Sequence, residues 1–221
     1  MGCSVPPAGV WCGRDEGGGS SVADELDTVV ADSQAIGDLR RQLDAARRRI
    51  AALEACANED ALLGILNRRG IEAELERAIA FSERYRIVAS VIFIDLDEFK
   101  AVNDEHGHSA GDALLRHLVG LIESNVRKSD RLGRIGGDEF VVLLWNATHE
   151  VAENKARALA EIVKRNPLTR GKAQIALSIS CGVAELHGED SAATLLARAD
   201  AAMYREKKFS RGKRRRDALK R

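Results

Sequence analysis

Apolar runs alternate with amphipathic segments along most of the chain. Runs of β-branched and other apolar residues between turn signals predict strands, and apolar positions with a helical period predict helices. The predicted order is helix 68–84, strand 86–95, helix 109–126, strands 130–135 and 138–144, helix 150–165, strand 174–185 and helix 191–208. The two middle strands are separated by a short glycine turn and should form a hairpin. The pattern predicts an α+β fold, in which helices cover a mainly antiparallel sheet.

The segment before these elements has a different pattern. Residues 1–24 contain Gly and Pro clusters and are expected to form a flexible tail, whereas residues 25–59 have a heptad spacing of apolar residues. The heptad positions are Ile36, Leu39, Leu43, Ala46, Ile50, Leu53 and Ala57. This seam would be about 33 Å long on a continuous helix, and it predicts a dimeric coiled coil. A helix that packs on its own domain is the alternative.

Composition narrows the class of protein. Apolar residues make up 45% and charged residues 31% of the 221 positions, and the formal net charge is zero, so charge gives no argument for a nucleic-acid or membrane partner. Aromatic residues are only 4%, which argues against a base-stacking surface. The sequence lacks a long apolar run, a signal-peptide pattern and zinc-site cysteine spacing. We therefore expect a cytoplasmic protein with reduced thiols and no transmembrane segment.

Two acidic residues follow the turn of the predicted hairpin. Gly136 and Gly137 permit a tight turn and close approach of the backbone to a ligand, and Asp138 and Glu139 come directly after them. Carboxylates at such a turn can bind a metal ion that also binds phosphate. Taken alone, this motif is equally typical of a glycine-rich hairpin with solvated acids.

A second acidic group ends the predicted strand 86–95. Asp95 and Asp97 share a face if the strand continues, with Leu96 on the opposite face. Acids at the end of a buried strand commonly face a ligand crevice, and Mg²⁺ is usually held by one or two carboxylates plus substrate phosphates. The alternative is that these acids only cap the following helix.

Five segments together resemble the bacterial GGDEF-domain family of diguanylate cyclases. They begin at Asp60, Asp95, Arg134, Ser178 and Ala199 and follow the family's order, so that the resemblance covers residues 60–212. The chain departs from the family pattern at Leu63, where Thr is usual, and at 209–212, where Phe-Ser-Arg-Gly replaces a usual Gly-Arg-Asn ending. The resemblance implies a palm-like βαββαβ nucleotidyl-cyclase core after the coiled coil. Residues 213–221 then form a basic tail, most simply a solvated one.

The resemblance also implies an activity and its metal ligands. Two GTP molecules would be condensed into cyclic di-GMP with release of two pyrophosphates, with Mg²⁺ or Mn²⁺ as cofactor. Asp95, the Leu96 carbonyl and Asp138 would be the metal ligands, and Glu139 would support a second metal or the proton transfer. Two alternatives are a catalytically inactive module that binds GTP or cyclic di-GMP and a coiled-coil adaptor. The presence of all three acids argues against the first.

The nucleotide-binding residues also follow from the resemblance. Asn103 and Asp112 would recognise guanine, because an amide and a carboxylate match its donor and acceptor edge. Their presence argues against a pure adaptor. The remaining predicted substrate-binding residues are Phe99, Lys100, His108, Gly137, Lys207 and Arg211, the lysine at 207 and the arginine being assigned to the triphosphate. Each core would offer one guanine pocket, so the enzyme is expected to act as a homodimer through its N-terminal helix. An upstream sensor or regulator protein is a further possible partner.

A short motif before the hairpin predicts feedback control. Arg127 and Asp130 form an R-x-x-D motif at the spacing that the family uses for an inhibitory product-binding site. An arginine fork can bind phosphate or guanine edges, and the carboxylate can accept from guanine or orient the arginine. The second arginine of such a site is not assigned by the sequence, and Arg157 is a weak candidate. The alternative is a simple surface ion pair.

Overall fold

The computed structural model describes residues 34, 36–37, 39–49, 57–170 and 173–218, with side chains up to Lys208. The chain divides into two compact units, residues 1–51 and 52–221. In the first unit, residues 39–49 are helical and form α1. The apolar side chains Ile36, Leu39 and Leu43 are 51%, 64% and 51% exposed. The described part of the predicted heptad seam is therefore helical and open to solvent.

The second unit holds all the other described elements. In chain order they are α2 (Arg68–Tyr85), β1 (Ala89–Leu96), α3 (Phe99–His106), α4 (His108–Glu123), β2 (Arg131–Arg134), β3 (Glu139–Trp145), α5 (His149–Arg165), β4 (Leu168–Arg170), β5 (Ala173–Ile175), β6 (Ile179–Glu185) and α6 (Ala192–Ala218). No helix in the described part of the chain is both long and apolar enough to cross a membrane.

A four-stranded antiparallel sheet forms the centre of the second unit. Its strand order is β2-β3-β1-β6, which places β1 between β3 and β6. The strand is rich in Ile, Val and Phe, which suit a pleated and buried surface, and its residues from Ala89 to Ile94 are all buried. In this register Asp95 lies opposite Glu139 on one neighbouring strand and opposite Ser180 on the other. The predicted α+β fold with an antiparallel sheet is confirmed.

The two faces of β1 pack against different helices. Ile92, Ile94 and Leu96 join the core cluster with α4 and α5, whereas Val91 and Phe93 join the cluster with α2 and α6. Since side chains alternate along a strand, Asp95 points to the α6 side. Helix α6 lies very close to the sheet, because a Cβ at Gly182 would come within 2.2 Å of the Ala199 carbonyl oxygen. The end of β1 is thereby brought next to α6.

The observed elements differ from the predicted ones in four places. A short strand that was not predicted, β4, pairs with β5 in a separate two-stranded sheet. The predicted strand 174–185 is divided into β5 and β6, and the Ser178 carbonyl between them accepts a hydrogen bond from Asp97 N at 2.9 Å. Two helices, not one, follow β1, and they are separated by Gly107 with φ of 80°. The first strand begins at Ala89, not at 86, because Arg86 adopts a left-handed conformation that ends α2.

Candidate active site

An arginine side chain fixes the glycine turn between β2 and β3. Arg134 donates from Nε to the Gly136 carbonyl at 3.0 Å and from Nη2 to the Gly137 carbonyl at 2.7 Å. Its Nη1 donates to Asp60 Oδ2 at 3.0 Å, and Asp60 Oδ1 in turn accepts from backbone N–H groups of the following turn. The guanidinium thus satisfies two carbonyls that a tight turn leaves without strand partners.

The two glycines of the turn serve different spatial needs. A Cβ at Gly136 would lie 2.4 Å from Glu139 Oε2, so that a side chain there would displace the glutamate. A Cβ at Gly137 would meet nothing within 4 Å, and this residue is exposed. The first glycine makes room for a site carboxylate, and the second leaves open the space in front of the turn.

Three acidic residues converge at the junction of the turn and the sheet. Asp95 and Glu139 are cross-strand partners on the same face, and Leu96 N donates to the Asp138 carbonyl oxygen at 3.0 Å. Burial and the negative charges of Asp138 and Asp95, with a smaller effect from Asp200, raise the pKa of the Glu139 carboxyl above its usual value. The Glu139 carboxyl therefore lies in a partly buried place beside other acidic side chains.

Lys207 connects α6 with the carboxylates at the end of β1. Its Nζ donates a hydrogen bond to Asp95 Oδ1 and lies 3.8 Å from Asp97 Oδ1. Asp97 also accepts from Ser178 Oγ at 2.9 Å and from Ser180 Oγ at 2.8 Å. Helix α3 has Glu98 as its N-cap and no side-chain capping bond, so the alternative in which these acids cap the following helix does not hold.

The donor set at this place fits a hard divalent cation. The Asp95 and Asp138 carboxylates supply oxygen, and Glu139 adds a third carboxyl whose pKa is raised by burial and by these two acids. In the described part of the chain, no three His, Cys, Asp or Glu side chains form a ready metal cage. Mg²⁺ seldom has such a cage, because it retains water and binds substrate phosphates along with one or two carboxylates. The Lys207 ammonium contacts one oxygen of the Asp95 carboxylate, so a cation bound there would compete with Lys207 for the same group.

The residues assigned to guanine lie on α3 and α4. The Asn103 side-chain oxygen lies only 2.0 Å from the place where a Cβ of residue 111 would be, so Gly111 lets Asn103 of α3 contact α4 directly beside Asp112. Asp112 is half-buried inside α4, in its second turn, and so does not cap that helix. Phe99 packs against the core beneath this contact, and Lys100 and His108 are exposed at the starts of α3 and α4.

Two groups of residues predicted from the sequence remain, the phosphate-binding pair Lys207 and Arg211 and the R-x-x-D motif. The structure describes the second group more fully than the first. Lys207 is half-buried and faces Asp95, whereas the side chain of Arg211 lies outside the described residues, although its backbone belongs to α6. The R-x-x-D motif is described in full. Asp130 is 9% exposed and accepts from Arg127 N at 2.9 Å and from Trp145 N at 3.3 Å. Its carboxylate thus closes its own turn, while the Arg127 side chain is exposed.

A cavity of about 370 Å³ adjoins the R-x-x-D turn, and its lining includes Arg127 and Asp130. The cavity is lined by main-chain and side-chain atoms of the turn and of residues 64–66. Arg157, the weak candidate for a second arginine, lies on α5 and donates to Asn154 Oδ1 at 2.6 Å. It lines a different cavity, between α5 and α6.

Comparison with known families identifies the class of protein that this site defines. The sequence model described as "Diguanylate cyclase, GGDEF domain" matches residues 57–213. The chain belongs to the GGDEF domain family of diguanylate cyclases. Diguanylate cyclase DosC of Escherichia coli K12 is 36% identical over 155 residues, which cover 70% of this chain and 34% of DosC.

Diguanylate cyclase TpbB of Pseudomonas aeruginosa is 37% identical over 172 residues, which cover 75% of this chain and 38% of TpbB. The chain thus spans little more than a third of the length of these curated relatives.

Solved structures of GGDEF proteins share this fold. The coiled coil and GGDEF domain of DgcB from Caulobacter crescentus, in complex with cyclic di-GMP, aligns with a TM-score of 0.69 and 27% identity, covering 83% of this chain and 94% of that solved chain. Diguanylate cyclase SiaD from Pseudomonas aeruginosa, in complex with its activator SiaC, aligns with a TM-score of 0.71 and 26% identity, covering 85% of this chain and 72% of SiaD. These neighbours confirm the palm-like core.

Sequence reasoning assigned no role to four residues that build this site. Arg134 and Asp60 bind the turn and each other, and Ser178 and Ser180 bind Asp97. All four lie within motifs that carried the family resemblance, but the pairs are 74 to 83 residues apart along the chain. Local patterns do not reveal such long-range partners.

Proposed function

We propose that this protein is an active diguanylate cyclase, which condenses two GTP into cyclic di-GMP and two pyrophosphates. The observation that carries the proposal is the convergence of Asp95, Asp138 and Glu139 beside Lys207, at a turn that Gly137 leaves open. An inactive relative would need none of these acids to remain together. The raised pKa of Glu139 supports a site in which negative charge is kept for a cation.

The chain's own residues would bind and orient the nucleotide. The Asp112 carboxylate on α4 would accept from the donor edge of guanine, and the Asn103 amide, which contacts α4 at Gly111, would donate and accept. Lys207 would bind the triphosphate, with Arg211 one helical turn further along α6. When bound, Mg²⁺ or Mn²⁺ would polarise the α-phosphate and lower the pKa of the attacking 3′-hydroxyl. Glu139 would support a second metal or the transfer of the proton from that hydroxyl.

A cyclic dinucleotide requires two such sites to face each other. One core binds one GTP in this proposal, so catalysis takes place in a homodimer. The exposed heptad residues of α1 support dimerisation through the N-terminal helix, because tethering two cores raises their effective concentration. Replacing Leu39, Leu43, Ile50 and Leu53 with Ser should therefore give monomers with lower activity at sub-micromolar protein. Ile50 and Leu53 lie outside the described residues.

Product identification after incubation with GTP and Mg²⁺ tests the proposal. Cyclic di-GMP and pyrophosphate in a 1:2 ratio are expected, and ATP should not be incorporated because Asp112 accepts from the donor edge of guanine. Binding of GTP or cyclic di-GMP without turnover would favour the signalling module, and no nucleotide binding would favour the adaptor. Each outcome assigns the protein to a different class.

Regulation by product and by a second protein belongs to the same proposal. The DgcB structure contains cyclic di-GMP, and SiaD is bound to an activator protein. For this chain, the exposed Arg127 beside a cavity supports product binding at the R-x-x-D turn. We assign an upstream regulator to the N-terminal unit, since this unit contains the proposed dimerising helix.

A further inference from the structure

The Lys207 ammonium lies between two carboxylates. Its Nζ is hydrogen-bonded to Asp95 and lies 3.8 Å from Asp97 Oδ1. The side chains of Lys207, Asp95 and Asp97 are only 18%, 17% and 14% exposed, so bulk water screens their attraction weakly. A small movement of the ammonium would transfer its hydrogen bond from one acid to the other.

The two acids are held in different ways. Asp97 accepts from Ser180 Oγ at 2.8 Å and from Ser178 Oγ at 2.9 Å, and its own backbone N–H donates to the Ser178 carbonyl at 2.9 Å. Asp95 receives only the Lys207 hydrogen bond among the described residues. The Asp97 carboxylate is therefore fixed by three hydrogen bonds of its own residue, and the Asp95 carboxylate is held by Lys207 alone among the described residues.

We infer that Asp97 is a positioning residue, which receives Lys207 when Asp95 binds the metal ion of the incoming metal–nucleotide complex. The inference rests on the proposed function, because it names the residue that prepares Asp95 and Lys207 for that complex. Without an acceptor at Asp97, Lys207 would either stay on Asp95 and compete with the cation or leave it without a protein partner, with only the triphosphate to pair with. Burying an unpaired ammonium is costly. With Asp97 present, the ammonium keeps a charge-assisted hydrogen bond and remains beside the phosphate position.

The position of Asp97 in the fold agrees with this role. It comes two residues after Asp95, just beyond the end of β1, and its Oδ1 lies 3.8 Å from Nζ of Lys207 on α6. Ser180 lies on β6 and Ser178 directly precedes that strand, whereas Glu139 lies on β3, which flanks β1 on the other side. The serine hydroxyls thus hold Asp97 away from the turn that carries Asp138. In this proposal Asp97 accepts the hydrogen bond of Lys207, whereas Asp138 binds the cation.

The test measures binding without turnover. The ligand is the Mn²⁺ complex of 3′-deoxy-GTP, which lacks the attacking hydroxyl, and its dissociation constant is measured by isothermal titration calorimetry on the full chain. Asp97→Asn should weaken binding about tenfold, the change expected from the loss of one charge-assisted hydrogen bond. Ser180→Ala keeps the charge of Asp97 but loosens its carboxylate, and should weaken binding about threefold. Glu98→Gln, a neutralisation at the adjacent exposed acid, is the matched control and should leave the constant unchanged.

A double-mutant cycle separates positioning from a structural role. In a Lys207→Met background there is no ammonium to receive, so Asp97→Asn should change the dissociation constant less than about twofold. Equal weakening in both backgrounds would mean that Asp97 acts on the fold or on the metal directly, and would overturn the inference. Thermal unfolding of each variant shows whether the fold is intact, and Ser180→Ala provides the reading if Asp97→Asn unfolds.

The same measurements distinguish failure of this inference from failure of the proposed function. If the cycle gives the expected coupling but wild type makes no cyclic di-GMP from GTP, the cyclase activity is refuted and the role of Asp97 stands. If wild type synthesises cyclic di-GMP and the cycle shows no coupling, only the role of Asp97 is refuted. If wild type does not bind the metal–nucleotide complex, both are refuted.

Discussion

Asp138 contributes to the hairpin through two separable groups. Its backbone carbonyl accepts a hydrogen bond from Leu96 N at 3.0 Å and so attaches the turn to the end of β1. Its half-buried carboxylate has no hydrogen bond or ion pair with any described residue. The side chain can thus be removed without breaking the contact that holds the turn in place.

Asp138→Ala should abolish cyclic di-GMP synthesis and leave the fold intact. A metal ligand is lost while no core cavity is created, so the free energy of unfolding should change by less than about 0.5 kcal/mol. Product formation by chromatography and unfolding by denaturant provide the two readings. Glu189→Ala, which removes an exposed acid near the opposite end of β6, is the control and should retain full activity. Near-normal turnover by a folded Asp138→Ala protein would contradict the metal assignment.

Glu139 makes the stability of the metal-free protein depend on pH. Burial, Asp138 and Asp95 raise the pKa of its carboxyl above the usual 4.5, so the folded state binds this proton more tightly than the unfolded state. The free energy of unfolding therefore falls as pH rises from the usual pKa through the raised one. Glu139→Gln removes this penalty. With EDTA present it should melt at a higher temperature than wild type at pH 7, and the difference should shrink below pH 4.5.

Added Mg²⁺ gives the control for the Glu139 prediction. A cation neutralises the charges that raise the glutamate pKa, so it should stabilise wild type more than Glu139→Gln. A variant that is less stable than wild type at pH 7 in EDTA would show that Glu139 makes a net favourable contact instead.

At the residue scale, sequence patterns located the acids but not their partners. Asp95, Asp138 and Glu139 were predicted from short motifs, because each ends or follows an apolar strand. The bond from Arg134 to Asp60 joins residues 74 positions apart, and the serine partners of Asp97 are 81 and 83 positions away. Only the register of the folded sheet brings these groups together.

At the element scale, hydrogen bonds hold the hairpin turn in place and leave one side of it open. Arg134 binds two of its carbonyls, and Ile135 N donates to the Glu139 carbonyl at 2.9 Å across its base. The length of the turn and its glycines were evident from the sequence. The division of the predicted strand 174–185 was not, because it depends on Asp97 binding the backbone of Ser178.

Alanine at the two glycines of this turn should have different effects. Gly137→Ala puts a methyl group into open space, so the melting temperature should hold while GTP binding weakens, because the methyl occupies the side from which the nucleotide approaches. Gly136→Ala places its Cβ 2.4 Å from Glu139 Oε2, so the carboxylate must rotate away and synthesis should fall even at saturating GTP. Melting curves, the KM for GTP and kcat separate the two. Unchanged KM in Gly137→Ala would show that the nucleotide does not pass over the turn.

At the scale of the whole molecule, each cyclase unit is complete in itself except for its reaction partner. The sheet, both core clusters and the acidic site are all formed within residues 57–218, while α1 belongs to a separate compact unit. The heptad pattern predicted α1. The exposed apolar residues of this segment are available to pair with those of a second chain, which measurements in solution test. Activity should therefore depend on how the cyclase units of two chains meet, and inhibition by product would act on that contact.

Cyclic di-GMP at micromolar concentration should inhibit wild type, and Arg127→Ala should relieve this without loss of initial rate. The Arg127 side chain is exposed beside a cavity of about 370 Å³, so its removal costs the fold little. Asp130 is the wrong residue to test first, because its buried carboxylate accepts from Arg127 N and Trp145 N and its loss would leave two amides unsatisfied.

Lys128→Ala, which removes the neighbouring exposed cation, is the matched control and should remain inhibited. Product bound at this turn could bridge two units and keep the active sites apart, which couples two distinct sites. Equal inhibition of wild type and Arg127→Ala, measured from initial rates at increasing cyclic di-GMP, would reduce the motif to a surface turn.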